Sequence, residues 1–248
     1  MSALIAEVQV GDLAKAIKSA LVFAGSEGLS QQYAYVRFDR VGDNLYLTSG
    51  DRYQVASVRI EAEPGDSEVF EGPIYVEVAS LKAAMVWLKP GRTKPSVRIL
   101  VGNLTELVRP DTKERLELVH CDDPSPLPPA FQEPLAPIDW DCIIDMENPS
   151  RFAVSPELIT KLARAAQSPD DAILVESGNL PHSPITFRIG TYMLVTLAPK
   201  DGRNGNSTTV APNDYGTRRS WHDALTAMKL VRGSNNAQQS LDAAHRTA

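Results

Sequence analysis

Two cysteines and four histidines are all that 248 residues offer toward thiol or imidazole chemistry. Cys121 and Cys142 stand 21 positions apart with no CxxC pair and no clustered histidine, so no zinc ligand set is present and a free-thiol state in a reducing compartment is expected. His120 adjoins Cys121, but neighbours on a strand point to opposite faces, which argues against a catalytic dyad. His182 lies between prolines without ligand partners nearby in sequence. Walker A, GxSxG, HExxH and paired-carboxylate motifs are missing, and Gly11, Gly25 and Gly28 read as isolated turns. Neither catalysis nor a cofactor or metal is expected. Long apolar runs are missing too. The early stretch Leu4 to Val10 is broken by Glu7 and Gln9 and lacks a basic region before it, so a signal peptide, a membrane span and membrane partners are not expected, and the expected location is cytoplasmic. A net charge of −6 argues against indiscriminate DNA coating but permits a localised basic surface.

What is present is a repeat. Val8, Val10, Leu13 and Ile17 recur at identical spacing as Val76, Val78, Leu81 and Met85, and with one residue inserted as Phe152, Val154, Leu158 and Leu162. Period-two apolar spacing gives way each time to spacing of three and four, which reads as strand, tight turn, helix. Short strands follow each helix. Starts 68 and 76 residues apart suit a βαβββ unit used three times.

The expected helices, 12–24, 80–90 and 157–167, carry Lys15, Lys18, Lys82, Lys89, Lys161 and Arg164. Their acids are Asp12 and Glu157, at N-termini where a carboxylate suits capping and the helix dipole. The helices thus hold +4 in a chain of −6. Any one such face is ordinarily solvated decoration. Three that agree point to a surface for nucleic-acid phosphates, which Arg92 and Lys94, just past the second helix, would extend.

Along the chain, 1–122 reads as a domain of two βαβββ units and 123–139 as a proline-rich connector. Residues 140–200, opening with "DWDCIID", read as a second, half-length domain, and 201–248 as a mostly disordered tail. The class is α+β, with helices on one face of a continuous antiparallel sheet. Gly42-Asp43-Asn44 and Ser49-Gly50-Asp51 are turn signals. Asp51-Arg52-Tyr53 reads as structural, with Asp51 closing a hairpin. Trp87 and Trp140 read as core or subunit-contact residues.

"LAKAIKSALVFAG", "LYLTSGDRYQVASVRI" and "VEVASLKAAMVWLKPG" through "RLELVHCDDPSPLPP" resemble the N-terminal domain of a bacterial-type DNA polymerase III β subunit, the DNA sliding clamp. "SPELITKLARA" and "SPITFRIGTYMLVTLAPK" look like the second half of a clamp's last domain. The resemblance covers about 190 residues, and "DRYQVA" is its sharpest element. It implies the DNA-clamp fold and a non-enzymatic processivity factor that tethers a DNA polymerase to double-stranded DNA. The basic helices, with Lys15, Lys18, Lys82, Lys89, Arg92, Lys161 and Arg164, would touch DNA without base readout. A clamp loader and a homo-oligomeric ring are implied as partners. Family members have six units where this chain has three, so a clamp-derived adaptor or inhibitor that binds replication proteins without encircling DNA is the alternative, and an unrelated α+β enzyme a third reading. The Ala/Arg/Asp-rich style suits a bacteriophage of a high-GC host. Gln238 and Leu241 in "QQSLD" match part of a clamp-binding peptide but lack its aromatic residue, which reads as chance similarity. The odd third unit leaves an apolar stripe, Leu158, Leu162 and Ala165, that needs covering by a second chain or by 123–139 folded back.

Overall fold

The computed structural model describes residues 3–25, 33–51, 54–63, 73–89, 95–121, 156–177 and 185–197. The first unit runs β1 (Ala3–Gln9), α1 (Val10–Phe23), β2 (Tyr35–Val41), β3 (Asn44–Gly50), β4 (Gln54–Glu61). The second runs β5 (Ile74–Glu77), α2 (Val78–Trp87), β6 (Ser96–Val101), β7 (Thr105–Val108), β8 (Arg115–Leu118), with a short β9 (His120–Cys121). The third shows α3 (Pro156–Ala165), β10 (Ile173–Ser177), β11 (Ile185–Ile189) and β12 (Met193–Leu197). The expected connector, the "DWDCIID" opening of the half-length domain, its repeat residues Phe152 and Val154 and the tail, with Arg92, Lys94, Trp140, Cys142, His182 and the Gln238–Leu241 match, lie outside the described residues.

All strand pairs among the named strands are antiparallel, and the class is α+β as expected. The strands form two sheets: a four-stranded sheet ordered β1-β6-β7-β8 and an eight-stranded sheet ordered β10-β11-β12-β4-β3-β2-β5-β9. The first two units are interlaced. Strand β1 joins the second unit's strands, and β5 joins the first unit's.

Local chemistry explains the element ends. Helix α1 begins straight after β1, and in place of a side-chain cap the Val10 N–H donates to Pro95 O at 2.9 Å. It ends where Gly25 passes Tyr33 so closely that a Cβ at Gly25 would lie 2.4 Å from that of Tyr33. Helix α2 stops at Trp87, short of the expected 90, because Pro90 disfavours helical backbone at the residue before it. Lys89 therefore sits beyond the helix. The β2–β3 hairpin turns through Gly42 (φ +56°) and Asp43, the two-residue connection that favours a left-handed glycine. At the β3–β4 turn, Asp51 accepts from the Gln54 N–H (3.1 Å) and Nε2 (2.6 Å), the structural role its position suggested.

Leu13, Ile17, Ala20 and Phe23 of α1, Leu81 and Ala84 of α2, and the inward residues of the strands form one core. Leu158, Leu162 and Ala165 of α3 are buried in it. This corrects the expectation that the third unit's stripe needs covering by a second chain or by 123–139 folded back. It packs beside α1, where the buried Ser19 Oγ donates to Ala165 O at 2.6 Å, and β12 pairs with β4 from Met193↔Val58 to Leu197↔Gln54. The stripe is covered by the chain's own first unit. Tyr192 fastens the far end of this seam: its hydroxyl donates to Asp171 and accepts from the Gln167 N–H, and its carbonyl accepts from the Arg59 N–H.

Candidate nucleic-acid interface

Three helices lie in a row, α2–α1–α3, with α1 touching both neighbours. Each has one face in the core, which fixes what the opposite face presents. On α1, Val10, Leu13, Ala16, Ile17, Ser19, Ala20 and Phe23 are buried, and the exposed residues are Asp12, Lys15 and Lys18. On α2 the exposed residues are Ala79, Lys82, Ala83 and Val86, with exposed Lys89 following. On α3, Arg164 is exposed together with Glu157, Ile159, Thr160 and Ala163. The array thus offers Lys15, Lys18, Lys82, Lys89 and Arg164 to solvent against Asp12 and Glu157, both in first turns. Lys15 is partly balanced by Asp12 at 4.0 Å, with both side chains more than half exposed, so little of its field is lost.

Lys161 differs from its expected placement. Its side chain is 26% exposed, and its ammonium lies 3.9 Å from Asp51 and 3.7 Å from Glu157. It links α3 to the β3–β4 turn and has two carboxylates beside it, so little of its charge is left for a ligand.

Two features had no sequence signal. Arg109, between β7 and β8, lays its guanidinium over the Trp87 ring at 4.5 Å and donates to Trp87 O at 2.6 Å. It supplies the cation at the C-terminus of α2 that the helix's own last turn lacks. Glu7, Asp12, Asp43, Glu61 and Glu63 line a cleft of about 580 Å³ at the N-terminal end of α1. These carboxylates come from separate elements, which no short motif would bring together. The Arg40 guanidinium crosses nearby and donates to Glu63 O at 2.9 Å. Among the described residues no group of His, Cys, Asp and Glu is arranged to hold a metal ion, and no helix is long and apolar enough to cross a membrane.

Comparison with known proteins separates sequence from fold. No protein-family model matches the chain, and no curated protein matches it by sequence. Solved structures match it clearly. The DNA polymerase III subunit beta from Pseudomonas aeruginosa aligns with a TM-score of 0.55 at 16% identity, over 82% of this chain and 66% of that one. A sliding clamp (DNA polymerase III subunit beta) from the same organism, bound to griselimycin, aligns at 0.55 and 15% over 86% and 67%. The DNA polymerase III beta subunit from Thermotoga maritima aligns at 0.55 and 10% over 86% and 66%. The chain spans about two thirds of the length of the structures it matches. Its interlaced units and antiparallel sheets are therefore the fold of the DNA polymerase III beta subunit, the sliding clamp.

Proposed function

We propose that this chain is a DNA sliding clamp, a non-enzymatic processivity factor of the cytoplasm that tethers a DNA polymerase to duplex DNA and works with a clamp loader. The observation that carries this reading is the helix row: four exposed cations, Lys15, Lys18, Lys82 and Arg164, lie on adjacent helices, with exposed Lys89 just past α2, in an otherwise acidic chain. Lysine and arginine on helix faces suit contacts that hold phosphates weakly and let the duplex slide. Acidic surroundings repel DNA from the rest of the surface and steer it to the row. The test is primer extension by a cognate polymerase with and without the protein. A rise in product length that disappears in a Lys15→Glu/Lys18→Glu variant supports the reading, and equal stimulation by both proteins refutes a DNA-facing role.

One observation favours a second reading, a clamp-derived adaptor or inhibitor that does not encircle DNA. The third unit is docked on β4 of its own chain, so that strand edge is occupied before any second subunit arrives. Capture of a polymerase by a chain with no affinity for duplex DNA would favour the adaptor.

A further inference from the structure

Over four of its strands the larger sheet is buried on both faces. Its helix-facing residues, among them Leu47, Val58, Val195 and Phe187, belong to the core. The opposite face holds two rows in register across β3, β4, β12 and β11. One runs Thr48, Ser57, Leu194, Arg188, and the other, starting at Gly50, runs Val55, Thr196, Thr186. These seven side chains belong to residues only 0 to 3% exposed, and Leu194, Val55 and nearby Tyr46 are buried outside the helix-side core. The smaller sheet shows an open outer face for comparison. There Arg98, Arg115 and Glu117 are exposed, and the two arginines reach into solvent from their ion pairs with Glu7 and Glu106.

The two buried rows are built for a cover. Thr48 and Ser57 hydrogen-bond each other at 3.0 Å, and Thr186 and Thr196 do so at 3.3 Å. Hydroxyls paired across strands lose water without being left unsatisfied. The helices α1, α2 and α3 pack on the other face, so the cover comes from residues outside the described ones. Its position points to the tail. On the outer face burial weakens toward β5 and β9, where Tyr75 and Cys121 are half-buried and the connector departs. It is complete on β12 and its neighbours, and 198–248 leave the sheet at the end of β12. Within that tail, Trp221, Ala224, Leu225, Met228 and Val231 recur at spacings of three and four, which puts them on one stripe of a helix with Asp223 and Lys229 off it. A helix over 221–231 is about 16 Å long, and four adjacent strands span about 14 Å.

We propose that 221–231 dock as a helix on the outer face of the larger sheet, with the stripe of Trp221, Leu225 and Met228 against Leu194, Val55 and the paired hydroxyls. The tail is then held on the side away from the helix row and leaves Lys15, Lys18 and Lys82 open. The docking rests on the burial pattern and not on the DNA-binding reading.

Thiol accessibility in the full chain tests this. In a Cys121→Ser/Cys142→Ser background, Ser57→Cys sets one thiol in the covered rows, and Ala56→Cys, in a separate protein, sets one on the helix side. Both should resist a water-soluble aromatic disulfide. Adding Trp221→Asp/Leu225→Asp should speed the reaction at position 57 by about tenfold or more and leave position 56 protected, because only the outer face is opened. Thr196→Cys gives the same measurement should Ser57→Cys fold poorly. Rapid reaction at position 57 with the natural tail overturns the proposal, as does protection that survives the tail substitutions. In the second case, opening by Phe131→Asp/Leu135→Asp would assign the face to the connector. Equal loss of protection at 56 and 57 would mean that the tail supports the whole fold and has no seat on this face, which also overturns it.

Discussion

Glu7 on β1 accepts from Ser96 Oγ and from Arg98 Nε (2.7 Å), both on β6. The serine bond first, then the arginine, hold its carboxyl below the ordinary value of 4.5. A depressed carboxylate pKa adds stability above the unfolded pKa, and that stability is lost as pH falls through the folded one. Glu7→Gln should therefore cost about 1 kcal/mol at neutral pH. The gap should close as pH falls from 4.5 through the lowered pKa, as read by urea titrations across that window. The cations divide by environment in the same way. Each phosphate neutralised contributes about −0.9 to the slope of log affinity against log salt. Lys15→Glu/Lys18→Glu should flatten that slope by about 2 in anisotropy titrations with duplex DNA, while exposed positions of this kind alter stability by only about 0.5 kcal/mol. Lys161→Met, at a site already neutralised by Asp51 and Glu157, should leave the slope unchanged.

At the scale of elements, the seam between the first and third units is the feature with most at stake. Leu162 is fully buried, on a helix whose outer face mixes polar residues with exposed Ile159 and Ala163. Leu162→Ala should cost about 2–5 kcal/mol through lost contacts and the cavity left behind. If the seam is as described, that loss should lower a single cooperative thermal transition. A separate, earlier transition for 156–197 would mean the third unit is held independently of α1 and β4. The β3–β4 hairpin gives a second prediction. A Cβ on Gly50 would lie 2.7 Å from the Gln54 carbonyl oxygen, a backbone atom that cannot rotate away. Gly50→Ala should therefore destabilise by about 1–3 kcal/mol, visible as a lower denaturation midpoint with an unchanged slope.

Across the whole molecule, charge is sorted by location. A chain of net −6 holds its exposed helix faces cationic and gathers Glu7, Asp43, Glu61 and Glu63 at a cleft at one end of α1. If the helix row faces duplex DNA in a closed assembly, retention should depend on topology more than affinity. Loaded protein should stay on closed circular DNA through a low-salt gel filtration and leave when one cut linearises the circle. Equal retention on both forms would mean that contact alone holds the DNA, which is the outcome an open adaptor predicts.

The repeat of Val8, Val10, Leu13 and Ile17 was sufficient to locate the units and their helices to within about three residues, because apolar periodicity is a local property of a half-buried element. The same is true of Gly42 in its hairpin and of Asp51 at its turn, whose partners lie three residues away or fewer. The exposed placement of Lys15, Lys18, Lys82, Lys89 and Arg164 was legible for the same reason, since helical phase sets which side faces out. Lys161 was not, because its ammonium answers to Asp51, 110 positions earlier. Nor was the distribution of strands over two sheets, the stacking of Arg109 on Trp87, or the cover over Leu158, Leu162 and Ala165. A strand pattern states which face is apolar and leaves the hydrogen-bonding edge unassigned. Only the tertiary structure chose β4 as the neighbour of β12, through backbone bonds that carry no side-chain signature, and so joined the first and third units in one sheet.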